Sequence, residues 1–81
     1  MFNLKMLKGK NVVVHCNSET KAKKFINWVN SLSDKNIKVD YHIYKKDTCY
    51  RLTNELNCGF NDLRGYKKGG YKILSYEEAK V

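Results

Sequence analysis

The chain has 81 residues, 42% of them hydrophobic, with 16 Lys and Arg against eight Asp and Glu and a net charge of +8. That length holds one domain, 1–81, and that hydrophobic fraction excludes a disordered tail. No apolar run approaches the ~20 residues that span a bilayer, and Met1 to Lys10 lacks the apolar core of a signal peptide, so a soluble cytoplasmic protein is expected.

Met1 to Lys8 mixes Phe2, Leu4, Met6 and Leu7 with lysines before Gly9, and reads as a short strand or a packed arm. Val12 to Cys16 is a short β-branched run and predicts a central strand. Asn17 or Ser18 suits an N-cap, after which Ala22, Phe25, Ile26, Val29 and Leu32 recur at helical spacing with Trp28 widening the stripe. That face is core. The first turns also carry Lys21, Lys23 and Lys24, although a helix N-terminus holds partial positive charge and favours acids. Such crowding points either to an anion site or to a surface selected for positive charge.

Ser33 to Asn36 reads as a turn. Ile37, Val39, Tyr41 and Ile43 alternate with Lys38, Asp40, His42 and Tyr44, which predicts a half-buried strand. Lys45-Lys46-Asp47 then predicts a reversal into a second strand over Thr48 to Thr53, the two forming a hairpin. Asn54 to Gly59 reads as a loop, with a turn at Asn57-Cys58-Gly59. Asn61 suits the cap of a short helix ending at Lys68, with Gly69 in a left-handed terminal position. Tyr71 to Tyr76 predicts a last strand, followed by a polar tail. The expected fold is a small single-domain α+β sandwich of order β-α-β-β-α-β, its antiparallel or mixed sheet carrying one long amphipathic helix on a face.

Three cysteines, an odd number with no C-x-x-C pair, predict reduced thiols that pack as small hydrophobes. Val14-His15-Cys16 before a helix shares half the physics of a cysteine phosphatase, since a helix N-terminus welcomes an anion. The arginine that would clamp phosphate is replaced by Ala22, no glycine lies between Asn17 and Lys21, and no general acid follows. Zinc accepts mixed Cys and His ligands, but His15, Cys16, His42, Cys49 and Cys58 show no close ligand spacing. No catalytic residue, metal or cofactor is therefore assigned.

Cations interleaved with aromatics carry the functional signal, because such a mixture holds phosphates and stacks bases, and also serves protein interfaces. The expected binding surface comprises Lys21, Lys23 and Lys24, extended by Lys45, Lys46, Lys67 and Lys68 with Tyr44 and Tyr66. The three helix lysines lie off the apolar stripe and are expected to be exposed. No RNP motif, helix-turn-helix pattern or zinc finger accompanies them, so sequence-specific readout is unsupported.

Val12-Val13-Val14-His15-Cys16, the alanine- and lysine-bearing helix, Asp47-Thr48-Cys49-Tyr50 and Gly70-Tyr71-Lys72-Ile73-Leu74 make the chain resemble small accessory proteins of phages and prophages of low-GC Gram-positive bacteria. The likeness runs from Asn11 to Tyr76, with a shorter central region and few tryptophans. Proteins of that setting include inhibitors of host defence, notably anti-CRISPR proteins. The resemblance implies a non-enzymatic protein that contacts a host effector protein or ribonucleoprotein in the host cytoplasm. A nucleic-acid-binding accessory role is the alternative. Exposed sheet edges would also allow a homodimer.

Overall fold

A computed structural model describes residues 1–80. Val12–His15 (β1) occupies an inner position of a four-stranded mixed sheet of order β3-β2-β1-β4. It pairs antiparallel with Thr48–Leu52 (β2) and parallel with Lys72–Ser75 (β4). Cys58–Asp62 (β3) completes the sheet beside β2. Val13 and Val14 point to opposite faces and both are buried, which explains the unbroken apolar run.

The long helix Glu19–Ser31 (α2) covers one face. Ser18 caps it, its hydroxyl accepting from the Lys21 amide at 3.2 Å. Ala22, Phe25, Ile26 and Val29 are buried against Val14, Tyr50, Leu52 and Leu74. The Phe25 ring stacks on Tyr50 with centroids 5.8 Å apart and meets Phe2 edge-on at 5.1 Å. Phe2 belongs to the amino-terminal segment, which turns once as Leu4–Leu7 (α1) and buries Leu7. The segment is thus a packed arm.

A six-residue helix, Leu63–Lys68 (α4), lies over the opposite face. Arg51 pairs with Gly59 on that face, and the Tyr66 hydroxyl sits over Gly59. Tyr66 meets Tyr71 edge-on at 5.0 Å, while the Arg51 guanidinium stacks on Tyr71 and its Nε donates to the Lys10 carbonyl at 2.9 Å. The α+β class, the mixed sheet and the long helix on one face are as expected, with a second helix on the other face.

The element order matches only loosely, because residues 37–44 form no strand. The alternation there is real: Ile37, Val39 and Tyr41 pack against the core. Their backbone groups, however, are satisfied by side chains. Asn30 donates to the Ile37 carbonyl at 3.1 Å and accepts from its amide at 2.9 Å, and the Tyr50 hydroxyl donates to Val39 at 2.6 Å. One helical turn follows, Tyr41–Tyr44 (α3), then a 3-10 turn over Lys45–Asp47.

The hairpin is instead β2–β3, closed through residues 53–57, where the Thr53 amide donates to the Asn57 carbonyl at 2.9 Å. Cys58 and Gly59 are strand residues, not a turn. Asp62, not Asn61, caps α4, its carboxylate accepting from the Gly65 amide at 2.7 Å. Gly69 ends that helix at φ −77°, and the left-handed residue is Gly70 at φ 80°. Beyond Tyr76 the chain turns back rather than trailing away: Ala79 is buried, and Phe2 bridges Lys80. Ser75 and Glu78 cap each other reciprocally at 2.8 and 3.0 Å.

Candidate basic surface

Strand directions gather chemistry at one end of the sheet. The carboxyl ends of β1, β3 and β4 and the amino end of β2 emerge together. The start of α2, the Lys45–Asp47 turn, the start of α4 and Glu77 therefore share that end.

The seven lysines expected to form one surface fall into different environments. Lys21 is not a freely exposed cation: its Nζ lies 3.0 Å from Glu77 and 2.9 Å from Asn17 Oδ1, and also stands over the Tyr76 ring. The anion anticipated at the start of α2 is thus supplied by the chain itself. Glu77 titrates below the usual carboxylate range because Lys21 hydrogen-bonds it. Lys23 is exposed and stands 4.0 Å from Glu19, one turn earlier. Lys24 is exposed on the same helix, and among the described residues no carboxylate comes within 4 Å of it.

Lys45, Lys46, Lys67 and Lys68 are exposed and likewise free of close carboxylates among the described residues. Lys45 and Lys46 sit on the 3-10 turn, whereas Lys67 and Lys68 sit on α4, across the sheet from Lys23 and Lys24. Arg64 and Lys67, with Asp47 and Leu63, line a shallow depression of about 230 Å³ between α4 and the 3-10 turn. The two tyrosines already hold aromatic neighbours: Tyr44 meets Phe60 at 5.5 Å, and Tyr66 meets Tyr71. Burial pushes the Tyr66 phenol up to about 12.

Cys16 and Cys49 have no exposed surface and Cys58 is half-buried; desolvation pushes each thiol up to about 12. Lys21 offsets only part of this at Cys16, so the Val14-His15-Cys16 segment holds a protonated thiol at neutral pH. Its histidine is used otherwise, as His15 Nε2 donates to the Lys46 carbonyl at 2.7 Å. Among the described residues, no three His, Cys, Asp or Glu side chains converge as metal ligands, and no helix is long and apolar enough to cross a membrane.

Sequence patterning did not pick out Ile43, Thr48 or Arg64. Ile43 looked like the buried partner of an alternating strand, yet it is 51% exposed. Thr48 is fully buried and its hydroxyl donates to the Lys45 carbonyl at 2.7 Å, a link between neighbours in sequence that only the turn geometry reveals. Comparison with family models, curated proteins and solved structures finds no match to this chain.

Proposed function

We propose that the protein is a non-enzymatic binding protein that engages an anionic macromolecular partner through its unpaired lysines. In the phage setting that the resemblance implies, this partner is a host defence effector protein or its ribonucleoprotein, blocked by direct contact as an anti-CRISPR inhibitor does. One observation supports the reading most. Lys24, Lys45, Lys46, Lys67 and Lys68 project without close carboxylates, while Lys21, at the position where intramolecular pairing was available, is paired. Excess cations left unneutralised attract anionic surfaces over roughly a Debye length, ~10 Å at 0.1 M salt.

The test pairs two measurements on charge-reversal variants of Lys23, Lys24, Lys45, Lys46, Lys67 and Lys68. Binding of RNA and duplex DNA oligonucleotides is followed across salt concentration, and protection of a phage from host defence is followed in cells. A nucleic-acid-binding accessory protein shows a steep log-linear loss of affinity with salt. An inhibitor acting on an effector protein loses protection in the variants while binding the free oligonucleotides weakly at all salts. Variants that behave like the parent in both assays refute the proposal.

A further inference from the structure

The segment from Asp40 to Lys46 is held in a shape that its own residues disfavour. Asp40 has φ 41° and Lys45 has φ 52° with ψ −126°, so two non-glycine residues in the left-handed half of backbone space bracket the single turn of α3. Such positions are costly for residues with a Cβ and persist only where the surroundings hold them. The surroundings do so through three carbonyls. The Tyr50 hydroxyl holds Val39 at 2.6 Å, the buried Thr48 hydroxyl holds Lys45 at 2.7 Å, and His15 holds Lys46 at 2.7 Å. All three side chains rise from the two inner strands and their ends.

What this scaffold displays is Ile43, half in solvent, with Lys45 and Lys46 exposed after it. A single exposed aliphatic residue is ordinary on its own. Here it sits on a turn whose backbone is strained and pinned, and the 3-10 turn that follows carries Asp47 to the depression where Arg64 and Lys67 outnumber it. An apolar side chain on a rigid support loses little entropy on binding, which is the property of an interface anchor. Nucleic acid would use the cations and leave the aliphatic side chain idle. A protein surface with an apolar recess rimmed by carboxylates uses both.

We infer that α3 and the turn after it form a preorganised docking element, which seats Ile43 in an apolar recess of an acidic protein while Lys45, Lys46, Arg64 and Lys67 meet carboxylates at its rim. This rests on the reading of the protein as a binder of anionic partners and names the partner class and the contact.

The experiment selects a phage-displayed random peptide library on the immobilised protein and measures the chosen peptides, together with RNA and duplex DNA oligonucleotides, against variants. Ile43→Ser folds like the parent because its side chain is already half exposed, which circular dichroism checks. The expected result is a set of peptides combining Asp or Glu with apolar residues, whose affinity falls about tenfold or more in Ile43→Ser. Lys45→Glu/Lys46→Glu abolishes that binding, and Lys5→Glu/Lys8→Glu, exposed on the amino-terminal arm, leaves it in place. Selected peptides that bind Ile43→Ser as well as the parent overturn the docking element. Selection of purely acidic peptides, or of none, overturns it too. Oligonucleotide binding that depends on the lysines and ignores Ile43 overturns it while sustaining the broader proposal. Failure of every probe, with phage protection unchanged in the lysine variants, overturns both.

Discussion

Lys21 reaches Glu77 across 3.0 Å and so fastens the first turns of α2 to the segment that follows β4. The same ammonium group hydrogen-bonds Asn17 and caps the face of Tyr76. A lysine unfavourably placed for the helix dipole is thereby turned into a tether between α2 and the turn after β4. Lys21→Glu, which sets like charges against each other, is expected to lower the melting temperature by a few degrees. Lys24→Glu, which breaks no ion pair among the described residues, is expected to leave it unchanged or slightly raised, because carboxylates suit the amino-terminal half of a helix. Thermal melts of both variants in low salt make the comparison.

Phe25 holds the centre of the aromatic core, fully buried and in ring contact with Phe2, Trp28 and Tyr50. Phe25→Ala is expected to cost about 3–5 kcal/mol, a large share of the stability of so small a domain. Urea denaturation of parent and variant, compared at their midpoints, measures the loss.

Helix α2 and the inner strand β1 were legible from the sequence because one pattern decided each. The apolar positions from Ala22 to Val29 recur with helical spacing, and Val12 to Val14 are β-branched throughout. Residues 37–44 misled for a physical reason. Alternation reports which side chains face the core, and Ile37, Val39 and Tyr41 do, but it does not report where backbone hydrogen bonds go. The Asn30 amide and the Tyr50 hydroxyl satisfy that backbone from afar in sequence, so no local pattern encodes it. The candidate surface was legible as composition only: the individual lysines could be named, but the partner that takes Lys21 could not.

Thiol chemistry offers a pH test. Cys16, Cys49 and Cys58 titrate at about 12 in the folded protein against an ordinary 9.0. As pH rises past 9.0 the unfolded chain releases these protons first and binds fewer than the native state, so stability is complete below that pH and is lost between 9.0 and about 12. Melting temperature measured across that range should fall steadily. At pH 8 iodoacetamide should label the native thiols slowly and the denatured thiols fast.

Two glycines have unequal demands on their positions. Gly9 has φ 70°, and a Cβ there would run into the Asn54 side chain, whereas Gly70 has φ 80° with open space around it. Gly70→Ala is expected to cost about 1–2 kcal/mol, the penalty of placing a side chain in left-handed backbone. Gly9→Ala is expected to cost more, since Asn54 must also move. A double variant with Asn54→Ala should recover the difference between them, as measured by denaturant midpoints.

The parallel pairing of β1 with β4 joins Val12 to Lys72, near opposite ends of the chain. Until residues 72–75 have left the ribosome, β1 lacks one of its two neighbours and the core lacks Leu74 and Tyr76. The hairpin of β2 and β3 can close early, but the sheet is completed only when β4 joins β1. Docking of β4 onto β1 is therefore expected to be a late step of folding, with the slow loop closure typical of sequence-distant contacts.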